Sequence, residues 1–318
     1  MSISLTTPLI FEPLFMERIW GGRRLETVFG KRLPPGKQIG ESWEIVDRPE
    51  AQSVVSQGPL RGTTLHDLWL QQRAEIFGLD LPDTPRFPLL LKLLDASAQL
   101  SLQVHPPEPA AGSLGAEPKT EFWYFAASAP GAEIFAGLRR GVEQDEFARA
   151  IEHGSVADQL HRIAVRTGDS FFVPSGRVHG IGPGNLIVEI QQNSDTTYRV
   201  FDWDRRDAAG NRRALHIAES IRSIRFDDCE PECLHPAGEQ LVVCPHFVVE
   251  KWDLTAERPA FDRAAFAIFV CLSGELEAAG ERFRAGACFL VPASAAERTT
   301  LRSRGAAATV LRVTLPGR

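Results

Sequence analysis

Short apolar runs, each closed by a turn residue, constrain the fold of this chain more than any other feature. Its 318 residues include 22 prolines and 26 glycines spread along the length, and most apolar runs between them are brief. Such runs, separated by glycine, proline or aspartate, predict β-strands packed as a sandwich or barrel. The predicted strands cover 89–94, 101–104, 122–125, 170–173, 186–191, 247–252, 267–272 and 288–291.

Helical periodicity is confined to three short segments, at 64–72, 143–153 and 216–224. In the second, Val142 and Phe147 fall on one face of the predicted helix. A hairpin is predicted around Gly274, because the strand at 267–272 runs directly into a Ser-Gly turn. The chain is therefore expected to be mostly β, with a few short helices.

One strand pattern occurs twice. The sequence GDSFFVP at 168–174 resembles GACFLVP at 286–292, each a turn glycine, a strand and a terminating proline. The second copy has no histidine at the place that corresponds to His179. We therefore expect a catalytic, metal-binding unit over 1–240, with N-terminal strands and short helical segments, and a degenerate copy without metal over 241–318.

Composition excludes several classes of protein. The net charge is -6 and the pI about 5.8, which argues against a nucleic-acid partner. No apolar run is long enough for a membrane span, and the first eight residues lack the basic and apolar regions of a signal peptide. The five cysteines form no CxxC pair, which favours reduced thiols in a cytoplasm.

Four residues on three separated segments make a candidate metal site. Gln103 and His105 are two apart, so on a strand they share one face. Glu121 opens the next predicted strand, and His179 follows a Pro-x-Gly turn. Two imidazoles, a carboxylate and an amide oxygen suit Zn²⁺, Mn²⁺, Fe²⁺ or Co²⁺. One ligand set predicts one divalent metal per chain.

The turn that carries His179 fits the second motif of cupins: glycine, five residues, Pro-x-Gly, two residues, histidine. The motif's later asparagine is replaced by Pro183, with Asn185 two positions on. More specifically, the chain resembles short bacterial type I mannose-6-phosphate isomerases between residue 11 and about 225. The matching motifs are ERIWGG at 17–22, GESWE at 40–44, KLLDA at 92–96, LSLQVHP at 100–106, KTE at 119–121 and EIQQNSDTTYRVFDWD at 189–204.

This resemblance implies a double-cupin fold, a jelly-roll sandwich or barrel occurring twice, and interconversion of mannose 6-phosphate with fructose 6-phosphate. It also implies zinc bound by Gln103, His105, Glu121 and His179. The implied active-site residues are Arg199, Glu189 and Lys119, with Ser101, Lys92 and Arg199 near the phosphate of the substrate. The implied partner is a small sugar phosphate. We expect a monomer or weak homo-oligomer.

Isomerisation requires a base, stabilisation of an enediolate and a cationic phosphate site. Glu189 and Lys119 both remain candidates for the base, and a lysine base would need a lowered pKa. Arg199 has a structural alternative, an ion pair with Asp195, Asp202 or Asp204. A single ligand set favours a cis-enediol path over hydride transfer between two metals.

Two other functions remain open at this stage. One is a different cupin enzyme, either an isomerase of another sugar or a metal-dependent oxygenase. The other is a non-catalytic cupin that only binds a sugar phosphate. The amide ligand and the lysines and arginines argue against the oxygenase, and the full set of polar site residues argues against a pure binder.

Overall fold

Eleven strands form the N-terminal β-sandwich in the computed structural model, which describes residues 7–206, 210–261 and 265–317. Its larger sheet has the order β1-β2-β3-β10-β5-β8, and its smaller sheet β11-β4-β9-β6-β7. All neighbouring strands in both sheets are antiparallel. The strands are β1 (Leu14–Gly22), β2 (Ile39–Ile45), β3 (Leu89–Ala96), β4 (Leu102–Val104), β5 (Glu121–Ser128), β6 (Glu133–Leu138), β7 (Leu160–Ala164), β8 (Ser170–Val173), β9 (His179–Ile181), β10 (Asn185–Gln192) and β11 (Tyr198–Phe201).

Nine further strands form a second sandwich. Its sheets have the orders β12-β13-β20-β15-β18 and β14-β19-β16-β17. The mostly β fold with two sandwiches is thereby confirmed. The strands are β12 (Gln240–Val243), β13 (Val248–Leu254), β14 (Arg258–Pro259), β15 (Ala267–Ser273), β16 (Glu275–Ala278), β17 (Glu281–Arg284), β18 (Cys288–Val291), β19 (Thr300–Ser303) and β20 (Ala308–Thr314).

Short helices decorate the sandwiches. The three predicted helices are present, each shorter than its predicted segment by a residue at either end, because those residues are caps. At the first, the Thr64 hydroxyl accepts a hydrogen bond from the Asp67 amide. The α-helices are α1 (Arg24–Thr27), α2 (Leu65–Gln71), α3 (Arg73–Ile76), α4 (Glu108–Leu114), α5 (Gln144–Glu152) and α6 (Ile217–Ser223); two 3₁₀ turns cover Val156–Gln159 and Ala293–Ala295.

The larger sheets of the two sandwiches share one hydrophobic core, and strand β3 shows how this positions the site. Leu91 and Leu93 join that shared core with residues of the second sandwich such as Leu311. Leu94 points the other way, into the interior of the first sandwich. Lys92 alternates with Leu91 and Leu93 and so shares the interior side, where the candidate site lies.

The repeated strand pattern occupies equivalent places in the two sandwiches. Strands β8 and β18 are each the edge strand of the larger sheet. Phe171 of β8 pairs with Trp123 of β5, and Phe289 of β18 pairs with Phe269 of β15. Both turn glycines, at 168 and 286, have positive φ, as a residue without Cβ allows.

The same register shows what replaces the site residues in the second sandwich. Ala267 stands where Glu121 stands in the first, and Arg312 where Glu189 stands. Arg312 is buried and forms an ion pair with Glu250. The carboxylate of the candidate metal site has thus been replaced by a methyl group.

The hairpin predicted around Gly274 is wrong. Strand β15 continues into β16, but the two strands belong to different sheets, so Gly274 is a corner between the sheets. Its φ is +76°, and a Cβ there would lie 2.5 Å from the carbonyl oxygen of Ala307. The periodic pattern could not distinguish a corner from a hairpin, since both need a turn glycine.

Three of the expectations from the sequence, on membrane spans, disulfides and a signal peptide, concern where the protein is located in the cell. No helix within the described ranges is long and apolar enough to cross a membrane. None of the five cysteines forms a disulfide. The first six residues, on which the expectation about a signal peptide partly rests, lie outside the described residues.

Candidate functional site

Three buried side chains from different strands meet inside the N-terminal sandwich. His105 follows β4, Glu121 opens β5 and His179 opens β9. Their potential ligand atoms all lie within 4.8 Å of one another. The two Glu121 carboxylate oxygens lie 3.1 Å from His105 Nε2 and 3.8 Å from His179 Nε2. The sandwich thus brings together the two imidazoles and the carboxylate singled out in the sequence.

Backbone carbonyls orient both imidazole rings. The Nδ1 atom of His105 is 2.7 Å from the carbonyl oxygen of Thr196, and that of His179 is 2.9 Å from that of Arg177. A carbonyl can only accept, so each Nδ1 carries the proton and each Nε2 presents its lone pair to the site. This is the tautomer that a metal-binding histidine needs.

Gln103 joins the three residues through the smaller sheet. It pairs directly with His179 across β4 and β9, and its Nε2 lies 3.2 Å from His179 Nε2. Rotating the amide by 180° would place its oxygen at the same point, since the two ends have nearly the same shape. The i, i+2 alternation from Gln103 to His105 therefore predicted their common side correctly.

The three ionisable ligands have protonation states that suit a cation. Burial, with the Lys119 charge next, lowers the pKa of His105 to about 3, and burial also lowers the pKa of His179. Burial opposes ionisation of Glu121, but Lys119 and His105 outweigh it and hold its pKa well below the usual range. Neutral imidazoles and a carboxylate are the forms that bind a divalent metal.

Lys119 is buried against the same ligands. Its Nζ lies 2.6 Å from Glu121 Oε1 and 3.5 Å from His105 Nε2. Burial lowers the pKa of Lys119, but Glu121 and Glu189 outweigh burial and raise it above the ordinary value. A lysine base would need the opposite shift, so in this structure Lys119 is a cation and a proton donor.

Glu189 lies in the middle of the larger sheet, opposite Lys92 on β3 and Trp123 on β5. It is buried, and within the described part of the chain its Oε1 has no hydrogen-bond donor. Burial first, and then the charge of Glu121, raises the pKa of Glu189 to about 7. Such a carboxylate can both accept and return a proton near neutral pH.

Lys92 is surrounded by three carboxylates. One of them, Glu41, was not singled out in the sequence, and Asp195 was considered there only as a partner of Arg199. The Nζ atom of Lys92 lies 3.8 Å from Glu189, 3.8 Å from Glu41 and 3.7 Å from Asp195. The ammonium group also lies 4.8 Å from the centre of the Trp43 ring. Glu41 and Asp195 belong to matching motifs, but only the folded structure shows that they meet at one lysine.

Arg199 pairs with Gln103 across β4 and β11. Its Nη1 donates to the carbonyl of Ala214 over 2.8 Å. Among the described residues no carboxylate lies within 4.0 Å of its guanidinium, and its Nε has no acceptor. The ion-pair alternative fails because Asp195, Asp202 and Asp204 pair with Lys92, with Arg205 and Arg213, and with Arg212 respectively.

Ser101 is buried immediately before β4, two residues from Gln103. The structure therefore brings Gln103, His105, Glu121, His179 and Lys119 into one cluster. Arg199 flanks that cluster beside Gln103, and Glu189 connects it with Lys92.

Comparisons with known proteins agree with this geometry. Residues 9–138 match the family model described as phosphomannose isomerase type I, catalytic domain. The mannose-6-phosphate isomerase ManA of Bacillus subtilis (strain 168) is 41% identical over 85% of this chain and 87% of its own length. The mannose-6-phosphate isomerase of Streptococcus mutans is 39% identical over 83% of this chain and 86% of its own length. A crystal structure of the mannose 6-phosphate isomerase from Bacillus subtilis superposes with a TM-score of 0.85 at 33% identity, covering 97% of this chain and 99% of that one.

Proposed function

Because the chain belongs to the type I phosphomannose isomerase family, we propose that it interconverts mannose 6-phosphate and fructose 6-phosphate as a metal-dependent aldose–ketose isomerase. The observation that carries the proposal is the buried group of His105, Glu121 and His179, with Lys119 and Glu189 beside it. A sensor that only binds sugar phosphate has no need of a buried carboxylate, one oxygen of which accepts no hydrogen bond in the described structure, next to such a group.

The proposed cofactor is one divalent metal per chain, and Zn²⁺ in particular. The donor set fits, because both Nε2 atoms are free of protons and Glu121 is ionised. Two imidazoles and a carboxylate are common zinc ligands, and the Gln103 amide is the proposed fourth. When bound, the metal supplies positive charge that stabilises oxyanions on the substrate.

The proposed path runs through a cis-enediol with Glu189 as the base. C2 of mannose 6-phosphate loses its proton to Glu189, and the C1 oxygen gains a proton from Lys119. The C2 hydroxyl then returns a proton to Lys119 while C1 receives the proton held by Glu189, which completes fructose 6-phosphate. Glu189 suits this role because its Oε1 is not already engaged by a donor, whereas the Lys119 ammonium is engaged by Glu121.

Three residues are proposed to bind the substrate away from the reacting carbons. Arg199 offers a planar guanidinium without a carboxylate partner in the described structure, which suits a phosphate or an enediolate oxygen. Ser101 and Lys92 are proposed as contacts of the phosphate end, Ser101 through its hydroxyl and Lys92 through its ammonium. Glu41 and Asp195 hold Lys92 in place for such a contact.

The function is tested by turnover of mannose 6-phosphate with and without a metal chelator, in H₂O and in D₂O. An enediol path lets solvent deuterium enter C1 of fructose 6-phosphate or C2 of mannose 6-phosphate above the uncatalysed control. Activity on another aldose phosphate alone would establish a different cupin isomerase. Binding without turnover would establish a sugar-phosphate sensor, and full retention of substrate hydrogen over many turnovers would replace the enediol with hydride transfer.

Replacing Arg199 by alanine is expected to lower turnover by about 10²–10³-fold, the usual effect of removing one donor to developing negative charge. Arg199→Lys should recover only part of the loss, because an ammonium lacks the planar fork. Arg212→Ala is the matched control, since Arg212 pairs only with Asp204 at the surface among the described contacts. Near-normal kcat in Arg199→Ala would remove Arg199 from the mechanism.

The remaining proposals concern organisation and location. We place the domain boundary at 240/241, one residue into β12, which is the first strand of the second sandwich, and assign the catalytic role to 1–240. The unpaired cysteines favour a cytoplasmic location. The net charge of -6 argues against nucleic acid as a partner. Monomer or weak homo-oligomer is the proposed state.

A further inference from the structure

The orientation of His179 depends on one carbonyl in the turn that precedes it. The Arg177 carbonyl accepts the Nδ1 proton of His179 over 2.9 Å, and this directs His179 Nε2 towards Glu121. Backbone hydrogen bonds hold the residues on either side: Gly176, with φ +92°, donates to the His105 carbonyl and accepts from the Arg225 amide, and the Val178 carbonyl accepts from the Gly137 amide. Arg177 itself donates its amide to the Pro174 carbonyl. What fixes the Arg177 carbonyl therefore fixes the imidazole.

The Arg177 side chain anchors the turn through three hydrogen bonds. Its Nε and Nη2 donate to the two carboxylate oxygens of Asp228, each over 2.7 Å, and its Nη1 donates to the Phe172 carbonyl over 2.7 Å. The side chains of Arg177 and Asp228 are only 14% and 13% exposed. A bidentate pair of this kind is among the stronger and more directional contacts in proteins.

Asp228 is itself held rigidly, although it lies 51 residues along the chain from Arg177. Its carbonyl accepts the Leu138 amide over 2.9 Å, and Glu230 donates back to the Leu138 carbonyl over 2.9 Å. Gly137 permits this close approach, because a Cβ there would lie 2.6 Å from a Pro231 ring carbon. The partner of Arg177 is thus fixed to strand β6 of the smaller sheet.

We propose that Arg177 and Asp228 are a positioning pair for the proposed metal ligand His179. The pair holds the Arg177 carbonyl where it accepts the Nδ1 proton, and so sets both the tautomer and the direction of Nε2. The inference rests on the proposed function only in treating His179 as a metal ligand. Loss of the hydrogen bond that orients a ligating histidine typically changes metal affinity by about 10- to 100-fold.

The test is the Zn²⁺ dissociation constant of apoprotein, measured by competition with a chelating dye. Asp228→Asn keeps the shape of the side chain but turns one acceptor into a donor facing a guanidinium. We expect its Zn²⁺ affinity to fall by about 10- to 100-fold. Arg177→Lys, which keeps the charge but not the fork, should fall less, and it provides the readout if Asp228→Asn does not fold.

Two controls separate positioning from general stability. Asp227→Asn removes the adjacent carboxylate, which pairs with Arg225 at the surface, and should bind Zn²⁺ like the wild type. Glu250→Gln removes one charged partner of the buried Arg312 in the second sandwich, so it should lower Tm without changing Zn²⁺ affinity. Cobalt-loaded Asp228→Asn should also show an altered visible spectrum, which a purely structural role would not produce.

Unchanged Zn²⁺ affinity and an unchanged cobalt spectrum in Asp228→Asn would overturn the inference, as would an equal loss of affinity in Glu250→Gln. These outcomes are separable from failure of the proposed function. If Asp228→Asn weakens Zn²⁺ binding but the wild type does not turn over mannose 6-phosphate, only the proposed function is contradicted. If the wild type is active and Asp228→Asn leaves Zn²⁺ affinity and the cobalt spectrum unchanged, only the positioning role is contradicted.

Discussion

Alanine at His105 or at His179 is expected to abolish metal binding and to lower turnover by about 10³-fold or more, since a catalytic metal contributes several kcal/mol. Each change removes one of two imidazoles whose Nε2 atoms face the same carboxylate. The remaining donors cannot complete a tetrahedral set without water. Elemental analysis of the purified variants, beside the wild type, measures the loss directly.

His153→Ala is the matched control for these variants. His153 is exposed at the end of α5 and its Nδ1 contacts only the Arg149 carbonyl among the described residues, so metal content should stay at one per chain. All eight histidines precede residue 247, and Ala267 replaces the carboxylate ligand in the second sandwich, so no second equivalent is expected there. Wild-type metal content below about 0.2 per chain, with activity indifferent to chelator, would contradict the metal site.

Strands with an apolar pattern were predictable from the sequence, among them the site strands β3, β4, β5 and β10, whereas strands rich in polar residues were not. Strand β8 begins and ends where the prediction put it, because four apolar or small residues lie between a glycine turn and a proline. Strand β2, with the sequence IGESWEI, was missed although every residue in it is buried. Its polar residues include Glu41, which pairs with Lys92 and Arg18, so buried ion pairs interrupt the apolar pattern there.

Some residues of the candidate site were likewise predictable from the sequence and others were not. Gln103 and His105 were predictable because alternation on one strand is local, and His179 because its turn has a recognisable spacing. The meeting of Lys92 with Glu189 depends on which strands are neighbours in the sheet, which the spacing of a single sequence does not encode. Asp228 gave no local signal at all, since its partner Arg177 lies on another segment.

Replacing Glu189 by glutamine is expected to lower kcat by about 10²–10⁴-fold, the range for loss of a general base. The amide has nearly the same shape but cannot accept a proton from C2. The acid limb of the kcat/KM profile should disappear together with the activity, because that limb reports ionisation of the base. Steady-state rates on mannose 6-phosphate across the pH range measure both effects.

Glu189→Gln should also raise the free energy of unfolding of the chelator-treated protein, although it lowers kcat. The two effects have opposite signs, which makes the test sharp. Burial raises the pKa of Glu189 from 4.5 to about 7, so the folded state binds a proton more tightly than the unfolded state does. The stability of the wild type therefore falls as pH rises from 4.5 to about 7, and the cost is complete above that range. Glu189→Gln should therefore raise the free energy of unfolding by about 3 kcal/mol above pH 7 and leave it unchanged below pH 4.5.

Glu189→Asp is the companion variant, because it keeps an acid but withdraws it from C2 by one methylene. It should lose turnover while retaining the fall of stability with rising pH, which Glu189→Gln loses. A structural carboxylate would behave differently: Glu189→Gln would then lower stability at every pH and reduce turnover only in proportion to unfolding. A Glu189→Gln enzyme that is less stable yet turns over normally would return the role of base to Lys119, whose ammonium would then have to lose its proton beside Glu121.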